Sequence, residues 1–210
     1  TLTLGAFINT VTVSNVETIT GGSANDTVTL GAQSTGTIID LAAGNDTLVL
    51  GAFVNTVTVT NVETITGGST NDTVVFGAAV TGGTVDLGAG LDTLVFNASG
   101  ATVTISGVET VTGSAAADLV TLGGQATGTI LDLAGGNDTL VLGAYDNTVT
   151  VSNVETVTGG ASADTVTLAT QATGIVVDLA GGADTLILGD FDNTVSIANV
   201  ETLTGGTAAD

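Results

Sequence analysis

Acidic residues recur every 46 positions along this 210-residue chain. Asp26, Asp72, Asp118, Asp164 and Asp210 form one series, and Asp46, Asp92, Asp138 and Asp184 a second. Glu17, Glu63, Glu109, Glu155 and Glu201 form a third, and Asp40, Asp86, Asp132 and Asp178 a fourth. Of the 21 acids only Asp146, Asp190 and Asp192 fall outside this register. Self-similarity at a period of this length marks stacked units, none of which can bury its apolar face alone. Residues 1–210 therefore read as a single solenoid array of about four and a half repeats, not as a chain folded round one pocket.

The charge is one-sided. The chain has no Lys, Arg or His and a formal charge of −21, yet 43% of it is hydrophobic. That apolar share separates it from acidic disordered tails, which lack the means to build a core. Without a cation the chain cannot neutralise its own acids, so the counter-charge must come from solvent ions, bound metal or a partner. Nucleic acid is excluded as a partner, because phosphate recognition draws on Lys and Arg. Membrane insertion is excluded as well, since no apolar run approaches the roughly 20 residues that span a bilayer.

Each period divides into short alternating segments. Within residues 26–71 the first coil holds Asp26–Leu30 and Gly36–Leu41. The second holds Asp46–Leu50 and Thr56–Asn61, with a further short strand over Val62–Thr66. Two unequal coils per period are expected from that division, a shorter one over 26–45 and a longer one over 46–71. Successive side chains of a strand point to opposite faces. Val28, Leu30, Ile39, Leu41, Leu48, Leu50, Val57 and Val59 are thus predicted inside, with Thr27, Thr29, Asp40, Thr56, Thr58 and Thr60 outside. The fold class is all-β, a parallel β-solenoid of the β-helix or β-roll kind. Nine Asp-started coils at the strand spacing would make a rod roughly 40 Å long.

The turns carry the chemistry. Gly21-Gly22-Ser23-Ala24-Asn25-Asp26-Thr27-Val28-Thr29 resembles the RTX (hemolysin-type) nonapeptide G-G-x-G-x-D-x-U-x. Turns at Gly21, Gly67, Gly159 and Gly205 keep the leading glycine pair and lack the third glycine. Those containing Gly44, Gly90, Gly136 and Gly182 keep the third glycine and begin with Leu. The turn before Asp118 keeps only Gly113 of the leading pair. The resemblance implies Ca²⁺ held by Asp carboxylates and backbone carbonyls of stacked turns. Its metal-site candidates here are Asp26, Asp46, Asp72, Asp92, Asp118, Asp138, Asp164, Asp184 and Asp210, expected along one corner of the solenoid. A second reading stands beside it: Asn-Asp at the start of a strand forms Asx turns that cap backbone N–H groups without any metal.

The remaining acids read as structural. The Glu series is expected as solvated corner charge, recurring every second coil, and the Asp40 series as outward charge that blocks sheet edges or serves as supplementary ligands. No catalytic residue is assigned. The chain has no basic side chain for a lyase, and a hydrolase working with two carboxylates would need one distinctive constellation. Only Asp146, Asp190 and Asp192 depart from the repeated acids, so the chain is not read as an enzyme. Outward Thr rows such as Thr56-Thr58-Thr60 are similar to ice-binding arrays, but the outward pair Ile38 and Asp40 interrupts them. Asp210 followed by another Thr1-Leu2-Thr3-Leu4 would restore a strand start, which predicts flanking repeats or copies stacked end to end. The expected role is a structural or adhesive module of a secreted bacterial surface protein, in an adhesin, a surface layer or an extracellular fibre. Calcium would stiffen it; a metal-independent solenoid is the alternative.

Overall fold

A computed structural model describes residues 1–97 and 99–208. Its 23 strands form two parallel sheets of twelve and eleven strands, with no helix among the described residues. Successive strands alternate between the sheets, so two strands complete one coil. Twelve strands at the inter-strand spacing span about 50 Å.

The strand count per period was legible in the sequence; its grouping was not. Residues 27–68 contribute the strands Thr27–Leu30, Thr35–Asp40, Thr47–Val49, Thr56–Thr60 and Thr64–Gly68. Five strands at two per coil make two and a half coils, where two unequal coils were expected. The short strand at Thr64 supplies the extra half coil by crossing to the smaller sheet, where it lies beside Thr47–Val49. Thr10 accordingly pairs with Thr27, Thr27 with Thr47, Thr47 with Thr64, Thr64 with Thr84 and Thr84 with Thr104, so two coils in every five are shorter than the rest. An odd number of strands also rotates each period half a turn from the last. Thr27 begins a strand of the smaller sheet, and its equivalent Thr73 begins one of the larger.

Alternation sets the faces as predicted. Val28, Ile39, Leu41, Leu48, Leu50 and Val57 are wholly buried, whereas Ile38 is more than half exposed. The core is a thin column of Val, Leu and Ile between the sheets. At Leu30 and Leu50 the second period substitutes Phe76 and Phe96, whose rings stack at 5.7 Å in adjacent coils. On the smaller sheet one outward column is Thr over seven successive strands, from Thr10 through Thr64 to Thr121. On the larger sheet the column Thr18, Ile38, Thr58, Val75, Val95 is broken.

One device escaped the sequence reading. The ladder slips by one residue between Thr35 and Thr37, and again at the equivalent places in the later periods. The extra residue is Gly36, Gly82, Gly128 or Gly174, each with φ near +80° and open space where a side chain would stand. The backbone angle, not crowding, requires glycine there. A Thr-Gly pair recurring inside a strand pattern was the available signal.

Candidate metal centre

The Asp residues singled out from sequence do not lie along one corner. Half-turn rotation places Asp26 and Asp46 on the edge leading into the smaller sheet, and Asp72 and Asp92 on the edge leading into the larger. Asp118 with Asp138, and Asp164 with Asp184, continue the alternation. Asp210 lies outside the described residues. All eight described members are almost completely buried, at 2% exposure or less.

A backbone amide explains why each carboxylate turns inward. At the start of a strand the N–H has no ladder partner, and a buried unpaired N–H costs about 1–3 kcal/mol. Each is met by an acid from the next coil. Asn9 N–H donates to Asp26 Oδ1 at 2.9 Å, Asp26 N–H to Asp46 Oδ1 at 2.6 Å, and Asp46 N–H to Glu63 Oε2 at 2.8 Å. The same three links join Asn55, Asp72, Asp92 and Glu109, then Ala101, Asp118, Asp138 and Glu155. A fourth set joins Asn147, Asp164, Asp184 and Glu201. The Glu series, expected as free corner charge recurring every second coil, instead ends each column as a cap. Its periodicity gave no hint of this, because the contact depends on the short coil that carries Asp46 to Glu63.

Each column thus stacks three carboxylates in successive coils, about 4.8 Å apart by the strand spacing. The middle one bears the cost. Burial pushes the Asp46, Asp92, Asp138 and Asp184 carboxyls above the usual range, and the acids on either side push further. Asp92 and Asp138 rise to about 6. Burial also raises Asp72, against the opposing hydrogen bonds from Asn55. In each of these five residues Oδ1 takes an N–H while Oδ2 is buried without a partner.

The other acid series clamps turns. Asp40 Oδ1 accepts the Ala42 N–H at 3.0 Å and the Asn61 side-chain amide at 2.8 Å. Asp132 does the same for Ala134 and Asn153. Ala42 and Asn61 both have positive φ, and in the second period both give way to glycine, Gly88 and Gly107. The Asp40 series is therefore a corner clamp, where an edge-blocking charge was expected. Asp146 and Asp190 accept N–H groups from Ala163 and Thr207 one coil on.

The donor set suits a hard cation. Turn carbonyls pack near the same carboxylates: a Cβ on Gly44 would stand 2.9 Å from the Ala24 oxygen and 3.0 Å from Asp46 Oδ1, and one on Gly136 2.7 Å from the Ala116 oxygen and 2.8 Å from Asp138 Oδ1. Carboxylate and carbonyl oxygens are the ligands Ca²⁺ takes, six to eight at a time. Among the described residues no three acids converge tightly enough to hold a metal alone, so carbonyls and water must complete any shell. These residues fit Ca²⁺ in chemistry, with one free carboxylate oxygen per middle acid.

Comparison with known proteins agrees with the turn chemistry. Residues 14–34 and 134–153 match the RTX calcium-binding nonapeptide repeat (4 copies) family model. The first stretch contains the turn ending at Asp26 and the second the turn ending at Asp138, one of each kind. No curated protein and no solved structure matches the chain.

Proposed function

We propose that this RTX-like β-solenoid repeat serves as a structural rod in a secreted bacterial surface protein or extracellular fibre, with Ca²⁺ neutralising its acid columns. The observation that carries the reading is the unpartnered, buried Oδ2 at the middle of each carboxylate triplet in a chain without a single cationic side chain. The ion would be held by Asp46, Asp92, Asp138 and Asp184, with Asp72 and the outer acids Asp26, Asp118 and Asp164, together with turn carbonyls. It would supply the positive charge that the sequence lacks, turning stacked repulsion into coordination. The chain's own part is to keep those oxygens dry and aligned by fixing every Oδ1 on an amide.

Extracellular placement suits a site that needs abundant calcium, and no helix among the described residues is long and apolar enough to cross a membrane. Among the described residues the concave notches recur with the period, which favours a structural over an enzymatic role. A second reading, a metal-independent solenoid, rests on the Oδ1 caps, which hold the turns whether or not an ion is bound. Far-UV circular dichroism with thermal melting separates them, run with calcium, with chelator and with magnesium as control. A calcium-specific rise in melting temperature supports the ion-linked rod; identical melts in calcium and chelator would leave the acids as turn caps only.

A further inference from the structure

Once per period the surface opens into a small notch of 190–210 Å³. Each lies where the tight turn of one coil, such as Asn15-Val16-Glu17, meets a longer loop of the next, such as Gln33-Ser34-Thr35. At about 30 Å³ per water the space equals roughly six or seven waters, the bulk of a single sugar ring.

Three notches share features that the fourth lacks. The loop of the following coil, tied to each of them through its Asn, carries an exposed aromatic outside the notch wall: Phe53 at 39%, Tyr145 at 47% and Phe191 at 41%. A buried Asn ties the two loops together. Asn55 donates to the Phe53 carbonyl at 2.6 Å and accepts the Ser34 N–H at 3.0 Å. Asn147 links Tyr145 to Ala126, and Asn193 links Phe191 to Ala172, in the same way. Notch residues Gln125 and Gln171 reach across to the carbonyls of Asp146 and Asp192, next to the aromatics. In the second period the Gln, the aromatic and the Asn are all lost together, as Ala79, Ser99 and Ala101. Their joint loss marks them as one unit within this single sequence.

We propose that the notches beside Phe53, Tyr145 and Phe191 bind neutral sugar rings. The aromatic offers a flat apolar face for the C–H side of a ring, and Glu, Gln and Thr offer acceptors and donors to its hydroxyls. Chemistry also limits the ligand. With no Lys, Arg or His anywhere, phosphorylated, sulfated and carboxylated sugars meet only negative charge. Successive notches on one edge are five coils apart, about 24 Å by the strand spacing, so each takes its own ring.

Tyr145 is the single tyrosine and there is no tryptophan, so tyrosine fluorescence reads one notch of the intact chain. Cellopentaose, maltopentaose, mannopentaose and galactopentaose would be titrated separately in calcium buffer, with a heparin-derived oligosaccharide and choline as controls. At least one neutral glycan is expected to give a saturable change, weakened tenfold or more by Gln125→Ala at unchanged melting temperature. Calorimetry should count three sites per chain, and the triple change Ala79→Gln, Ser99→Phe, Ala101→Asn should raise the count to four. Silence with all four glycans at millimolar concentration overturns the proposal. So does tighter binding of choline, which would make the aromatic and Glu a cation site, or equal affinity in the Gln125→Ala protein. No notch contains an acid of the Asp series, but Glu109 and Glu155 both line notches and cap acid columns. The glycan titration is therefore repeated in chelator, where binding that persists separates the notch from calcium at the columns.

Discussion

Replacing Asp138 by Asn removes a charge and little else, and so tests the carboxylate columns directly. Asp138 sits between Asp118 and Glu155. Its carboxyl is raised from 3.8 to about 6, first by burial and then by those two acids. Two pH units at about 1.4 kcal/mol each set about 3 kcal/mol against the folded, ionised form at pH 7. Asn keeps an oxygen for the Asp118 N–H and nearly the same volume, but sets an amide N–H₂ where the unpartnered Oδ2 lay, at about 1–3 kcal/mol. In chelator at pH 7, Asp138→Asn is therefore expected to gain about 0–2 kcal/mol and to melt up to about 8 °C above the parent. Calcium reverses the ranking of gains. The parent has one more free carboxylate oxygen to offer, so its calcium-dependent rise in Tm should exceed the variant's. Scanning calorimetry of both proteins, with and without calcium, gives the four numbers. A variant that melts below the parent in chelator refutes the argument that an uncompensated charge is buried there, and equal calcium-dependent rises refute ligation by Asp138.

Further outcomes follow from the same geometry. Because Asp92 and Asp138 are raised to about 6 in the folded state, their stabilising protonation is complete below about pH 3.8 and lost as pH climbs through about 6; in chelator the Tm at pH 5 should exceed that at pH 7.5, and the opposite trend contradicts the assignment. Gly44→Ala sets a Cβ 2.9 Å from the Ala24 carbonyl at φ +152° and should cost about 3 kcal/mol in denaturant melts. Gly128→Ala, at φ +79° in open space, should cost only about 1–2 kcal/mol, and equal losses would show that crowding is not the deciding term. Leu94→Ala opens a void in the wholly buried core and should lower stability by about 2–5 kcal/mol; a loss under about 1 kcal/mol would mean the thin core collapses around it.

Much of the candidate site was legible, but its partners were not. The Asp residues announce themselves because each starts a strand at a fixed position in the period. Their burial does not, since a charged residue at a turn ordinarily faces water, and only the unpaired N–H of the neighbouring coil draws it inward. Asp26 meets Asp46 and Asp46 meets Glu63 across coils of different length, and nothing in the period says that both separations are one coil. The same ignorance hid the link between the Phe53 loop and the notch at Ser34, two segments joined where Asn55 and the Thr56 N–H reach Ser34 across adjacent coils.

By itself the sequence determined the local rules. Alternating Val and Thr decide which side chains face inward, because a strand presents successive residues to opposite faces. The period decides that whatever one unit does, the others repeat. Tertiary structure alone decided how five strands close into coils. A core of Val, Leu and Ile fills the roughly 10 Å gap between two facing sheets, and each coil closes with one strand in each sheet. An odd number of strands per period then throws each set of acids to the opposite edge, and with it the stacking of Asp, Asp and Glu on which the calcium chemistry rests.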